Sequence, residues 1–247
     1  AIDPDYVRAL YRIGRVYQTQ GVSQEHIYMK YYDEVISKDP KYAPVYATLY
    51  QYYFETNVSK SAEYLEKLLA NSDDDPKACS YKAAIKYAQG LFNEAIMKAD
   101  ECIAAEGDKP YVNLYKIKAF AYKRLKDSAM AKSSFEEYFK RQAPDNIEGG
   151  DYSAYADVLL KFPGNETRVG ELVEKAVAMD SVEANKVGYI KALAASYDAQ
   201  KKFAEAGFWY GKVINVKKNY TNADLFNSGY AYYQAGMYDS SNVMFAK

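Results

Sequence analysis

The stretch IKALAASYDAQKKFAEAGFWYGKV, residues 190–213, decides the fold. Its apolar residues fall at Ile190, Leu193, Ala194 and Tyr197, and again, past a polar break, at Ala206, Tyr210 and Val213. Steps of three and four place each set on one stripe of a helix, and nothing here alternates in the manner of a strand. The reading is a helix, a short turn and a second helix. One such hairpin cannot hide both of its apolar stripes, so it needs a neighbour on each side.

Outward from this hairpin the same unit returns at a fixed beat. Pro4, Pro40, Pro76, Pro110 and Pro144 are separated by 36, 36, 34 and 34 residues. Proline ends helices and restricts the residue before it, so evenly spaced prolines punctuate repeating helical units. Asp3, Asp39 and Asp75 precede three of them and read as caps for the helix to come. Where proline disappears, Asp180-Ser181 and Lys217-Lys218 keep the beat. In the first unit Leu10, Ile13, Gly14 and Tyr17 lead to Gly21, and Tyr28, Tyr32, Val35 and Ile36 precede Asp39-Pro40. The last unit shows Leu225, Gly229, Tyr232, Gly236, Tyr238 and Phe245.

This arrangement resembles the tetratricopeptide repeat (TPR), whose pattern runs bulky-x2-Leu-Gly-x2-Tyr and then Gly, Ala, Phe or Tyr, Ala and Pro. About seven tandem units cover nearly the whole chain, approximately 5–40, 41–76, 77–110, 111–144, 145–181, 182–218 and a truncated 219–247. The resemblance implies an all-α, right-handed superhelix of about 14 antiparallel helices forming a single solenoid. Ala83, Ala95, Ala131, Ala156, Ala194, Ala206 and Gly229 fall where the two helices of a unit come closest. There are departures. The first unit carries extra residues in its turn, around Gln24 to Ile27, and the third puts Lys82 where a leucine belongs, which leaves the register of its first helix open. Gly149-Gly150 and Pro163-Gly164 mark the longer connections of the fifth unit; a local adjustment of curvature is the favoured reading, and a hinge between the first four units and the last three stays open.

Composition narrows the class of function. The chain has 32 Lys and Arg against 33 Asp and Glu, a net charge of -1, which lacks the basic excess of a nucleic-acid-binding array. No apolar run approaches the ~20 residues needed to cross a bilayer, so the segment reads as soluble. Cys79 and Cys102, the only cysteines, are too few for a disulfide scaffold; one bridge is open to them, but two small buried hydrophobes with free thiols is the favoured reading. A lone histidine, His26, assembles neither a Ser-His-Asp relay nor a multi-histidine metal centre. Asp73-Asp74-Asp75 lacks the glycine and distal glutamate of a calcium loop and reads as a capping turn. No cofactor, metal or catalytic residue is expected. The start at Ala1 without an initiator methionine reads as a trimmed piece, leaning toward the bacterial periplasm or cell envelope. The abrupt end at Val243 to Lys247, inside an apolar helix, predicts that the natural protein continues or that a second copy covers the uncapped repeat.

What remains is binding. In the resembled family the first helix of each unit lines the groove that holds a partner segment. The positions this register turns outward include Tyr11, Arg15, Gln51, Phe54, Tyr87, Tyr115, Lys191, Phe226, Tyr230 and Tyr233. Of these, Tyr11, Arg15, Gln51, Tyr115, Lys191, Phe226, Tyr230 and Tyr233 are the candidate partner-binding residues. Aromatic rings offer large contact area at low entropic cost, and tyrosine, present 28 times, adds a hydroxyl. The expected function is a protein- or peptide-binding scaffold. Two alternatives stay open: a carbohydrate-binding surface, and an accessory solenoid attached to a catalytic domain outside this sequence.

Overall fold

The computed structural model describes residues 4–72 and 77–247. Among the described residues are fourteen α-helices and no strand. The chain forms two compact units, Ala1–Ala121 and Tyr122–Lys247. In the first, α1 (Pro4–Thr19) packs on α2 (Glu25–Lys38), α3 (Ala43–Phe54) on α4 (Val58–Ala70), and α5 (Ala78–Ala88) on α6 (Phe92–Glu106), with the start of α7 (Asn113–Arg124) closing the unit. In the second, α8 (Ser128–Arg141) is followed by the pairs α9 (Gly149–Leu159) and α10 (Glu166–Met179), α11 (Glu183–Ala199) and α12 (Phe203–Val216), and α13 (Asn222–Gln234) and α14 (Tyr238–Phe245).

Four of the seven turns inside the hairpins share one geometry. Gly90, Lys126, Lys201 and Gly236 take φ values of 77, 63, 59 and 72°, the left-handed conformation that commonly ends a helix. The next residue then donates its N–H to a carbonyl five positions back: Leu91 to Lys86, Asp127 to Tyr122, Lys202 to Tyr197, and Met237 to Tyr232. Each of these bonds satisfies a carbonyl that the helix end would leave orphaned. Two second helices, α4 and α8, begin on side-chain caps, Asn57 accepting from the Lys60 N–H and Asp127 from the Met130 N–H, both at 3.1 Å.

The cap expected at Asp39-Pro40 does not form as such. Asp39 Oδ1 accepts the Lys41 N–H within the turn at 3.0 Å, and α3 starts later, at Ala43. A short polar side chain that satisfies a nearby N–H holds a turn as readily as a helix start. Asp3 and the Asp73 to Asp75 run lie outside the described residues. The insertion near Gln24 is a 3-10 turn, Val22–Gln24, and His26 sits in the first turn of α2.

The small residues lie where the helices crowd. Ala83, Ala95, Ala131, Ala194 and Ala206 are 0% exposed, and a Cβ at Gly229 would meet the Phe245 ring at 2.7 Å. Around them the core is uneven. The first two repeats bury Tyr28, Tyr32, Val35, Val45, Tyr46 and Leu49 in one cluster; each such side chain contributes about 1.5–3 kcal/mol. The buried cluster at repeat three holds the small Ala83, Ala99 and Cys102, with Leu114 of repeat four. The first helix of repeat three buries Ser80, Ala83 and Ile85, so Lys82 faces away from the core stripe.

A covalent bond reinforces that thin core. Cys79 and Cys102 form a disulfide with their Cα atoms 5.8 Å apart, which corrects the free-thiol reading. Cys79 opens α5 and Cys102 lies near the end of α6, so an antiparallel hairpin folded at Gly90 sets them side by side.

Candidate functional site

Three successive first helices of the first unit, α3, α5 and α7, enclose a groove of about 530 Å³. Tyr50, Phe54, Tyr81, Tyr87, Tyr111 and Phe120 line it, with the small Ala84 leaving space between them. The rings hold one another: Tyr50 stands 5.5 Å from Tyr81 and edge-on to Phe54 at 5.8 Å, and Tyr87 packs on Phe92 at 5.4 Å. Burial pushes the Tyr50 phenol up to about 12, with Tyr81 adding to the rise, so it stays a neutral hydrogen-bond donor near pH 7. Polar groups are few. Ser80 is buried, Asn113 Nδ2 donates to the Tyr111 hydroxyl at 3.4 Å, and the Lys77 ammonium lies 5.9 Å above the Tyr111 ring. A large apolar concavity with a few polar groups at its edge is the usual form of a recognition surface.

The residues expected from the sequence fall elsewhere, in separate places. Tyr11 and Arg15 converge on the buried Thr48: Tyr11 Oη and Thr48 Oγ1 are 2.9 Å apart, and Arg15 Nη1 donates to the same oxygen at 3.1 Å. Gln51 is exposed one turn further along α3, and Tyr115 is half-buried on α7. In the second unit Lys191 donates to Asp224 Oδ1 at 2.6 Å, a carboxylate that also takes Lys217 at 2.7 Å and both the N–H and the hydroxyl of Thr221 at 3.0 Å. Burial opposes charge on Asp224, but these donors overcome it and hold the carboxyl far below its ordinary range. Lys191 therefore ties repeat six to repeat seven. Phe226, Tyr230 and Tyr233 follow one face of α13 at 54, 47 and 58% exposure; the first two rings lie nearly parallel, 5.7 Å apart, and Phe226 also approaches Phe245 at 5.9 Å.

The groove was partly within reach of the sequence. Phe54 and Tyr87 belong to the outward positions of the register, but Tyr50, Tyr81, Tyr111 and Phe120 do not. The usable signal was Tyr50 and Phe54, spaced i, i+4, beside the open register of α5. Among the described residues no group of three His, Cys, Asp or Glu side chains is placed to hold a metal ion, and no helix is long and apolar enough to cross a membrane.

Paired helices, left-handed turn closures and small residues at each crossing define a helical-repeat protein of the TPR solenoid kind. Comparison with solved structures gives the same fold. The Pseudomonas aeruginosa PilF structure superposes with a TM-score of 0.63 at 15% identity, covering 94% of this chain and 98% of that one. A TPR protein from Parabacteroides merdae gives 0.62 at 16% identity, over 97% and 86% of the two chains. YrrB, described as a TPR protein with an unusual peptide-binding site, gives 0.50 at 10% identity, over 76% and 93%. At such identities the likeness is one of fold. No family model matches the sequence, and no curated protein matches it.

Proposed function

We propose that the chain is a docking scaffold that holds an apolar segment of a partner protein in the groove of α3, α5 and α7. The observation that carries this reading is the convergence of six aromatic rings, five from α3, α5 and α7 and Tyr111 from the turn before α7, on one open, apolar concavity. Such rings supply most of the energy of peptide capture, and their positions on rigid helices limit the entropy lost on binding. The described peptide-binding site of YrrB supports the use of this fold for that purpose. Panning a displayed random-peptide library against the whole chain tests it. Enriched peptides should carry aromatic or large aliphatic residues and lose at least tenfold in affinity against Phe54→Ala/Tyr87→Ala. Failure of that variant to weaken capture, or loss of capture in Tyr115→Ala/Phe226→Ala/Tyr230→Ala instead, overturns the assignment.

A second reading rests on the near-parallel, exposed Phe226 and Tyr230 rings, a surface suited to stacking on sugars. Binding on a glycan array that is abolished by Phe226→Ala would favour it. The Cys79–Cys102 bridge supports an oxidising location such as the bacterial periplasm or cell envelope.

A further inference from the structure

A second cavity, of about 280 Å³, lies within the second unit where α8, α9 and α10 meet beside Pro144 and Ile147. An apolar cavity of about 150 Å³ accepts benzene, so this one has room for a single ring with a short polar arm. Phe139 and Tyr152 form its aromatic wall, edge to face at 5.1 Å, and Tyr155 packs on Phe139 at 5.1 Å. Tyr155 is 0% exposed, and its hydroxyl is the one buried side-chain polar atom among the described residues without a hydrogen-bond partner. Burying such a donor unpaired is costly, and natural proteins rarely leave one without a use.

Two cations of α10 lie over these same rings. The Arg168 guanidinium carbon is 5.2 Å from the Tyr155 ring centre, and the Lys175 ammonium is 5.8 Å from that of Tyr152. On the opposite side of the helix, acids are matched with lysines of repeat six: Glu166 with Lys202 at 2.9 Å and Glu174 with Lys212 at 2.5 Å. Arg168 and Lys175 have no such partner among the described residues. Glu171, between them, is the one acid that lines the cavity, and Glu136, close to Tyr155, is matched by Lys132 at 4.0 Å, so the site keeps an excess of one positive charge. Burial raises the Tyr155 phenol, Arg168 opposes the rise and the nearby Glu136 carboxylate adds to it, so near neutral pH it is a protonated donor beside a fixed cation.

We propose that this cavity binds a small aromatic monocarboxylate, its ring against Phe139 and Tyr152 and its carboxylate on the Tyr155 hydroxyl and the Arg168 guanidinium. A planar carboxylate suits the guanidinium fork, and one negative charge balances the site, whereas a dianion would meet Glu171. Lys175, two helical turns or about 10.5 Å along the axis from Arg168, stands at the far end of the ring. The proposal is independent of the groove in the first unit.

Calorimetric titration of the whole chain with 4-hydroxyphenylacetate is the test. One saturable site is expected, with acetate and phenol each at least tenfold weaker. Arg168→Gln should weaken binding at least tenfold and Lys175→Gln about twofold to threefold. Tyr155→Phe should bind several times more weakly yet melt unchanged or about 2–4 °C higher, because it removes an unpaired buried hydroxyl. Absence of saturation at millimolar ligand, undiminished binding by Arg168→Gln, or a lower melting temperature for Tyr155→Phe would overturn the proposal. Phe54→Ala in the groove should leave the titration unchanged; a loss there would place the ligand in the groove and refute this site.

Discussion

The seam between repeats one and two and the seam between repeats six and seven solve one packing problem with opposite chemistry. The first is centred on hydroxyls: Tyr11 and Arg15 meet on Thr48, and Tyr52 donates to Glu25 at 2.5 Å. The second is ionic, with the Asp224 carboxylate held by Lys191, Lys217 and Thr221. A hydroxyl can be shared among several partners at small cost, whereas a buried carboxylate depends on all of its donors. The lesson is that a tandem repeat fixes where adjacent units meet but leaves free what holds them together.

The largest expected effect tests the ionic seam. Asp224→Ala leaves two lysines without their anion and should lower the stability of the second unit by about 3–5 kcal/mol, seen as faster hydrogen exchange in α13 and α14. Exchange in α1 to α4 should not change; if it does, the seams are coupled and the contrast fails. Next comes the bridge. Cys79→Ser/Cys102→Ser should cost about 3 kcal/mol and loosen α5 and α6 above all, because the buried cluster there is mostly small, Ala83, Ala99 and Cys102 with Leu114 of α7. A loss spread evenly over both units would contradict the view that the disulfide compensates for a thin local core.

Titration should separate the seams further. Glu166, Asp180 and Asp224, which hydrogen bonds and cations hold below their ordinary range, all belong to the second unit. A depressed carboxyl contributes stability above its unfolded value, 3.8 for the two aspartates and 4.5 for Glu166, and loses it as pH falls toward its folded value, so the second unit should open first in acid. Tyr32 and Tyr50 of the first unit are raised by burial from 10.0 to about 12. A raised phenol contributes stability below 10.0 that fades as pH climbs toward 12, and because burial also raises Tyr138 and Tyr189 of the second unit, strong alkali should loosen both units. Exchange followed by mass spectrometry at both extremes resolves the order; acid opening of the first unit ahead of the second would break the comparison. The smallest effect belongs to Tyr11→Phe, which removes one shared hydroxyl and should cost about 1 kcal/mol in denaturant titration, since Arg15 still satisfies Thr48.

The fold was legible because its evidence is local and repeated. The stripe at Ile190, Leu193, Ala194 and Tyr197 needs no knowledge of distant residues to be called a helix face, and seven units in phase reinforce one another. The site was less legible. Lys191 occupies an outward position of the repeat register, yet its partner Asp224 lies 33 residues later, and that pairing depends on how far each helix is rotated. Tyr81 escaped because the register of α5 was open, with Lys82 in the place of a leucine. Cys79 and Cys102 could have been paired from their near-equal distances to Gly90, but only by treating that turn as the fold of an antiparallel hairpin.

By itself the sequence determined the repeating hairpin, its beat of thirty-odd residues and the small residues at each crossing, all of which follow from helical periodicity along one chain. The tertiary structure alone decided which tyrosines converge on the groove, that the two thiols join, and that Asp224 gathers two lysines. Those outcomes depend on side chains from different helices meeting in space, and helix rotation and rise, which set such meetings, are not written in the spacing of any single helix.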